Sequence, residues 1–71
     1  MVEFVKEAEN YLKSHLETKT ATNVYVANAL GILRAVFMVV LTKDSEKCYV
    51  EVTRLEDETM YMTVYKHTQA N

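Results

Sequence analysis

Reactive side chains are few in this chain. Cys48 is its single thiol, and His15 and His67 are its two imidazoles. A thiol held within about 3 Å of an imidazole makes a nucleophile–base pair. On alternating strand positions, however, Cys48 shares a face with Val50, while His67 follows Tyr65 onto the other. The two do not converge, and Cys48 reads as a buried structural thiol. His15 lies beside an apolar helical stripe, with Lys19 at the i+4 position where a second metal ligand is needed. It reads as a boundary histidine. One cysteine and two histidines also fall short of the roughly four ligands of a structural zinc. Glu56-Asp57-Glu58 offers three carboxylates to a hard cation. The run lacks the spacing and glycine of an EF-hand loop, and it reads as a solvated hairpin tip. Ser14, Ser45, Asp44 and Asp57 fit no nucleophile motif, and a lone glycine excludes a Gly-rich phosphate cradle. The expectation is a protein that is not an enzyme and that uses no cofactor and no metal.

The elements that position these residues must come from 71 residues, enough for a single domain spanning 1–71. A chain this short buries only about 60% of its unfolded surface. No internal disulfide is possible with one cysteine, so self-association is the expected way to add core. An apolar fraction of 49% with 25% charged residues is globular and excludes a disordered tail. The early residues Met1–Glu7 carry acids and no signal-peptide stretch. With a lone free thiol, which suits a reducing compartment, a cytoplasmic location is expected.

Charge divides the chain into three parts. Residues 1–21 hold four acids and three lysines, residues 22–42 hold Arg34 alone, and residues 43–67 hold six acids and four bases. In the first part Met1, Val5, Ala8, Leu12 and Leu16 recur at helical spacing, widened by Phe4 and Tyr11, which predicts an amphipathic helix over about 2–18. Glu3–Lys6 and Glu9–Lys13 add weak pairs along it. Residues 18–23 read as a polar connector. In the last part Val50 and Val52 alternate with Tyr49, Glu51 and Thr53, and Met60, Met62 and Val64 with Tyr61, Thr63 and Tyr65. This predicts a β-hairpin. Pairing Val52 with Met62 and Val50 with Val64 sets Tyr49 opposite Tyr65 and Thr53 opposite Tyr61, around a loop of three or five residues.

The middle block admits three readings. A membrane span over Val24–Leu41 is short of the roughly 20 apolar residues required and places Arg34 inside; no membrane span is expected. The second reading starts from Val26-Ala27-Asn28-Ala29-Leu30-Gly31-Ile32, which resembles the second helix and turn of winged helix-turn-helix domains. Leu41 stands where their third helix keeps a leucine. Ser45-Glu46-Lys47-Cys48-Tyr49-Val50-Glu51 resembles the entry into the wing, with Leu55–Thr59 as its tip. That resemblance implies a DNA-binding regulator contacting nucleic acid through Arg34, Lys43 and Lys47. The chemistry opposes it: Ala35–Leu41 is uninterruptedly apolar where base-reading residues belong, and the wing tip carries three negative charges towards phosphate. Nucleic acid is not the expected partner.

The third reading makes Asn23–Leu30 a strand, Gly31 a turn or bulge, and Leu33–Lys43 a central strand rich in Val and apolar on both faces. A helix followed by three or four antiparallel strands resembles the element order of cystatin-like folds. Their inhibitory Gln-x-Val-x-Gly loop is absent, so no inhibitory residue carries over. The expected fold is α+β, a helix packed on an antiparallel sheet spanning about 23–67. Val36, Met38, Val40, Val50, Val52, Met60, Met62 and Val64 are expected beneath the helix. Phe37, with Ala35, Val39 and Leu41, is expected on the opposite face beside Tyr49, Tyr61 and Tyr65. One helix cannot cover both faces, and tyrosine favours interfaces. The sequence therefore predicts a small adaptor, inhibitor or regulator, homodimeric or bound to another protein through Phe37, Tyr49, Tyr61 and Tyr65. A ligand pocket between helix and sheet is a further alternative.

Overall fold

The computed structural model describes residues 1–66 and is α+β: helix α1 (Val2–His15) precedes strands β1 (Thr18–Ala29), β2 (Ile32–Leu41), β3 (Lys47–Arg54) and β4 (Met60–Lys66). The four strands form an antiparallel meander in the order β1-β2-β3-β4. Consecutive antiparallel strands need only short turns, which suits a chain with one glycine and no proline.

Helix α1 buries Phe4, Ala8 and Leu12 on the sheet, an i, i+4, i+8 stripe, and Glu9–Lys13 pair at 2.8 Å on its exposed side. It ends three residues before the expected boundary. Leu16 turns extended, with φ −132° and ψ 137°, and its N–H closes the last turn on Leu12 O. The chain then enters the sheet at once, so residues 18–23, expected as a connector, are the first half of β1. Threonines at 18, 20 and 22 suit a strand, and the short polar side chains of this stretch had masked it. β1 bulges between Thr18 and Thr20 and between Asn23 and Tyr25. At the second bulge the Asn23 Nδ2 donates to Tyr25 O at 3.0 Å and to Val36 O at 3.1 Å. The side chain thus occupies carbonyls beside the disturbed ladder.

Residues 23–42, the segment with three readings, are strands and a turn, so the winged-helix alternative is overturned: its recognition helix is strand β2. Leu30 and Gly31 form a two-residue hairpin turn with φ of 55° and 82°. Positive φ at both positions is the type I′ pattern, whose twist matches that of the flanking strands.

The β3–β4 hairpin has the expected register, with Val52 opposite Met62, Val50 opposite Val64, Tyr49 opposite Tyr65 and Thr53 opposite Tyr61. Its loop is the five-residue form, closed by Leu55 N–H to Thr59 O at 2.8 Å and Glu58 N–H to Leu55 O at 2.9 Å.

Strand β2 faces the other way from expectation. It pairs with β3 through Ala35↔Val52, Phe37↔Val50 and Val39↔Cys48, and directly opposed residues share a face. Ala35, Phe37 and Val39 are therefore fully buried beneath α1 with Leu12, Val50 and Val52. Val36, Met38 and Val40 take the uncovered face. An uninterrupted apolar run has no alternation from which to read its faces, and a one-residue slip exchanges them. The signal that resolves it is Arg34, which has the parity of 36, 38 and 40. Turning that set towards the helix would have buried a guanidinium.

Two polar contacts hold the helix in place over the sheet. Arg54 Nη1 meets Glu7 Oε1 at 2.8 Å, and the Tyr11 hydroxyl donates to Met60 O at 3.2 Å.

Candidate functional site: the uncovered sheet face

One face of the sheet carries α1. Among the described residues no element covers the other, which is built from alternate positions of all four strands. β2 contributes the half-buried Val36, Met38 and Val40 as a central apolar ridge. Tyr49 lies directly across from Met38, and Tyr65 across from Tyr49, giving one row over three strands. Tyr61 lies across from Thr53, which itself opposes Arg34. Thr53 is 1% exposed although it is on the open face, because a short side chain between Arg34 and Tyr61 is shielded by both. Tyr49, Tyr61 and Tyr65 are 38%, 44% and 52% exposed and are partly braced by the sheet.

Three of the four residues expected at this surface are therefore brought together, and the fourth is not. Phe37 is fully buried on the helix side, so its inclusion is corrected. Tyr25, missed in the sequence, belongs to the open face: it opposes Val36 and is 59% exposed. The bulge at Asn23/Tyr25 shifts the alternation of β1, and that shift hides Tyr25 from a period-two reading.

Arg34, Lys43 and Lys47 do not form a phosphate-binding patch. Arg34 opposes Thr53 near one end of the sheet, and Lys47 opposes Val40 near the other. Six residues of strand, about 20 Å, separate the two positions. Lys43 lies in the exposed β2–β3 turn.

The remaining candidates are dispersed over the fold. Cys48 is buried in the core, and burial, followed by the nearby Glu46 carboxylate, raises its pKa from 9.0 and keeps the thiol protonated. His67 lies outside the described residues. His15 Nδ1 is 2.8 Å from Tyr11 O and 3.0 Å from Ser14 Oγ, and its ring stacks on Tyr11 at 4.3 Å, so it closes the end of the helix. At the β3–β4 tip, Asp57 Oδ1 accepts from the Thr59 N–H at 3.0 Å. Hydrogen bonds from Thr59 hold its carboxyl below the ordinary value. No group of three metal-ligating side chains occurs among the described residues.

Two open depressions, of about 450 and 350 Å³, lie away from the tyrosine face. One is at the C-terminal end of α1 beside Thr18, Lys19 and Thr42, and the other lies by Ile32 and Leu55–Asp57. The first is lined by Lys13 of α1 with Thr18 and Lys19 of β1, at the end of the helix–sheet junction, whose centre is packed by Phe4, Leu12 and Phe37. No helix among the described residues is long and apolar enough to cross a membrane. Compared with known proteins, the chain matches no protein-family model, no curated protein and no solved structure.

Proposed function

We propose that this chain is a small non-catalytic protein-interaction module, an adaptor, inhibitor or regulator, acting through its open sheet face. One observation carries the reading. Tyr25 and Tyr49 flank the ridge of Val36, Met38 and Val40, and Tyr61 and Tyr65 extend the aromatic surface onto β4, on a face that no described element covers. Half-exposed tyrosines over an apolar ridge supply contact area at low entropic cost while keeping a polar tip wet, which is the composition of interface hot spots. Exposed aromatic and apolar side chains on a domain this small otherwise favour indiscriminate aggregation. The buried protonated thiol of Cys48 and the engaged ring of His15 support a non-catalytic role, and the free thiol suits the cytoplasm.

Tyrosine nitration followed by peptide mass spectrometry tests the reading, with Tyr11 of the helix as internal reference. The open-face tyrosines of the dilute isolated protein are expected to react, and to be protected either in concentrated protein or in extract of the source cells. Equal reactivity under all three conditions overturns it.

A further inference from the structure

We propose that the occupant of the open face is a second copy of this chain, packed face to face about a two-fold axis over the Met38–Tyr49 pair; this rests on the interaction reading above. The sign pattern of the face carries the argument. Along β3 the outward positions are Lys47, Tyr49, Glu51 and Thr53, and along β2 they are Arg34, Val36, Met38 and Val40; the charge-bearing stretch 47–49–51 and the apolar stretch 36–38–40 are the triplets that share a centre. Each triplet is centred on one member of the directly opposed pair Met38↔Tyr49. An axis lying in the interface, at right angles to the strands and over that pair, reverses each triplet onto itself. Lys47 then meets the partner's Glu51, and Glu51 the partner's Lys47. Val36 meets the partner's Val40, and Met38 and Tyr49 meet their own counterparts. This is the self-complementarity that a two-fold interface demands.

The charges support a second copy over an unrelated occupant. Within the chain, the ion pairs among the described residues are Glu9–Lys13 and Glu7–Arg54, so Lys47 and Glu51 are left without an ionic partner. Glu51 is half-buried on the open face, opposite Val36 and Thr63, and its diagonal neighbour Arg34 makes no ion pair with it among the described residues. The area is also sufficient. Four strands about 4.8 Å apart, over roughly eight paired residues of about 3.3 Å rise, make a face of about 500 Å² in plan. Two such faces remove about 1,000 Å², the threshold of a specific interface, before side-chain relief is added. Aligned packing of two sheets about 10 Å apart accommodates this geometry.

Charge reversal tests the pairing. Sedimentation equilibrium of the full chain from low to high micromolar concentration is expected to show a dimer. Lys47→Glu and Glu51→Lys are each expected to weaken it by on the order of tenfold or more, since each creates two like-charge contacts. The double variant K47E/E51K restores the pairs and is expected to return the affinity to near that of the parent chain. All three variants lie on exposed or half-exposed positions, and circular dichroism confirms that each is folded. A dimer indifferent to all three, with Tyr49 and Tyr65 still open to nitration, overturns the proposal in favour of pairing along a sheet edge. A chain monomeric throughout, whose open-face tyrosines are protected in cell extract alone, overturns the second copy but leaves the interaction reading standing. Tyrosines protected under neither condition overturn both.

Discussion

Phe37 lies directly across from Val50 on the helix-facing side of the sheet, and both are fully buried. Their neighbours one residue along, Met38 and Tyr49, are likewise opposed but face away from the helix. The β2–β3 ladder therefore separates two roles by parity alone. One set holds the domain together, and the other lies on the face proposed above for association.

A contrast between two aromatic substitutions follows. Phe37→Ala is expected to cost about 3–5 kcal/mol through lost burial and the cavity left behind. Tyr65→Ala, at an exposed cross-strand position, is expected to cost no more than about 1 kcal/mol. Urea denaturation of both variants, at a protein concentration where the parent chain is monomeric, checks the difference. Equal costs would place Phe37 wrongly.

The β1–β2 turn contains a correctable local strain. Leu30 is 93% exposed and has φ of 55°, a region that favours Gly, Asn and Asp. It makes no buried contact that would offset this. Leu30→Asn is expected to stabilise the chain by roughly 0.5–1 kcal/mol, read as a higher denaturation midpoint with an unchanged slope. Gly31→Ala should do the reverse. Its φ is 82°, and an added Cβ would come within 2.9 Å of the Glu56 carboxylate.

Cys48 makes stability depend on pH in the alkaline range. Its thiol titrates above 9.0 in the folded chain because burial disfavours the thiolate, with Glu46 adding to the effect. The folded state thus holds its proton to higher pH than the unfolded state does. The contribution is fully present below about pH 9 and is lost as pH rises through the folded value. Denaturation midpoints measured from pH 7 to above 9 should fall, and Cys48→Ala should flatten that part of the profile. Alkylation of the native thiol should be correspondingly slow, since it requires local opening.

The sequence by itself determined the elements in which a period is visible. The helical spacing of Met1, Val5, Ala8, Leu12 and Leu16, widened by Phe4 and Tyr11, made the helix legible, and the alternation of Val50, Val52, Met60, Met62 and Val64 set the register of the last hairpin. Both segments meet water on one side, so their polar residues mark the faces. Strands β1 and β2 lacked that contrast. In residues 18–23 four of the six side chains are short and polar (Thr18, Thr20, Thr22 and Asn23), and from 35 to 41 every one is apolar. Only the tertiary structure decided that the first is strand and which side of the second meets the helix. That choice rests on register with β3 and on packing against α1, which are long-range contacts absent from any local window. It moved Phe37 from the expected interaction surface to the core. It also assembled the open face from Tyr25, Met38, Tyr49, Tyr61 and Tyr65, which are far apart in the chain and adjacent only once four strands are paired.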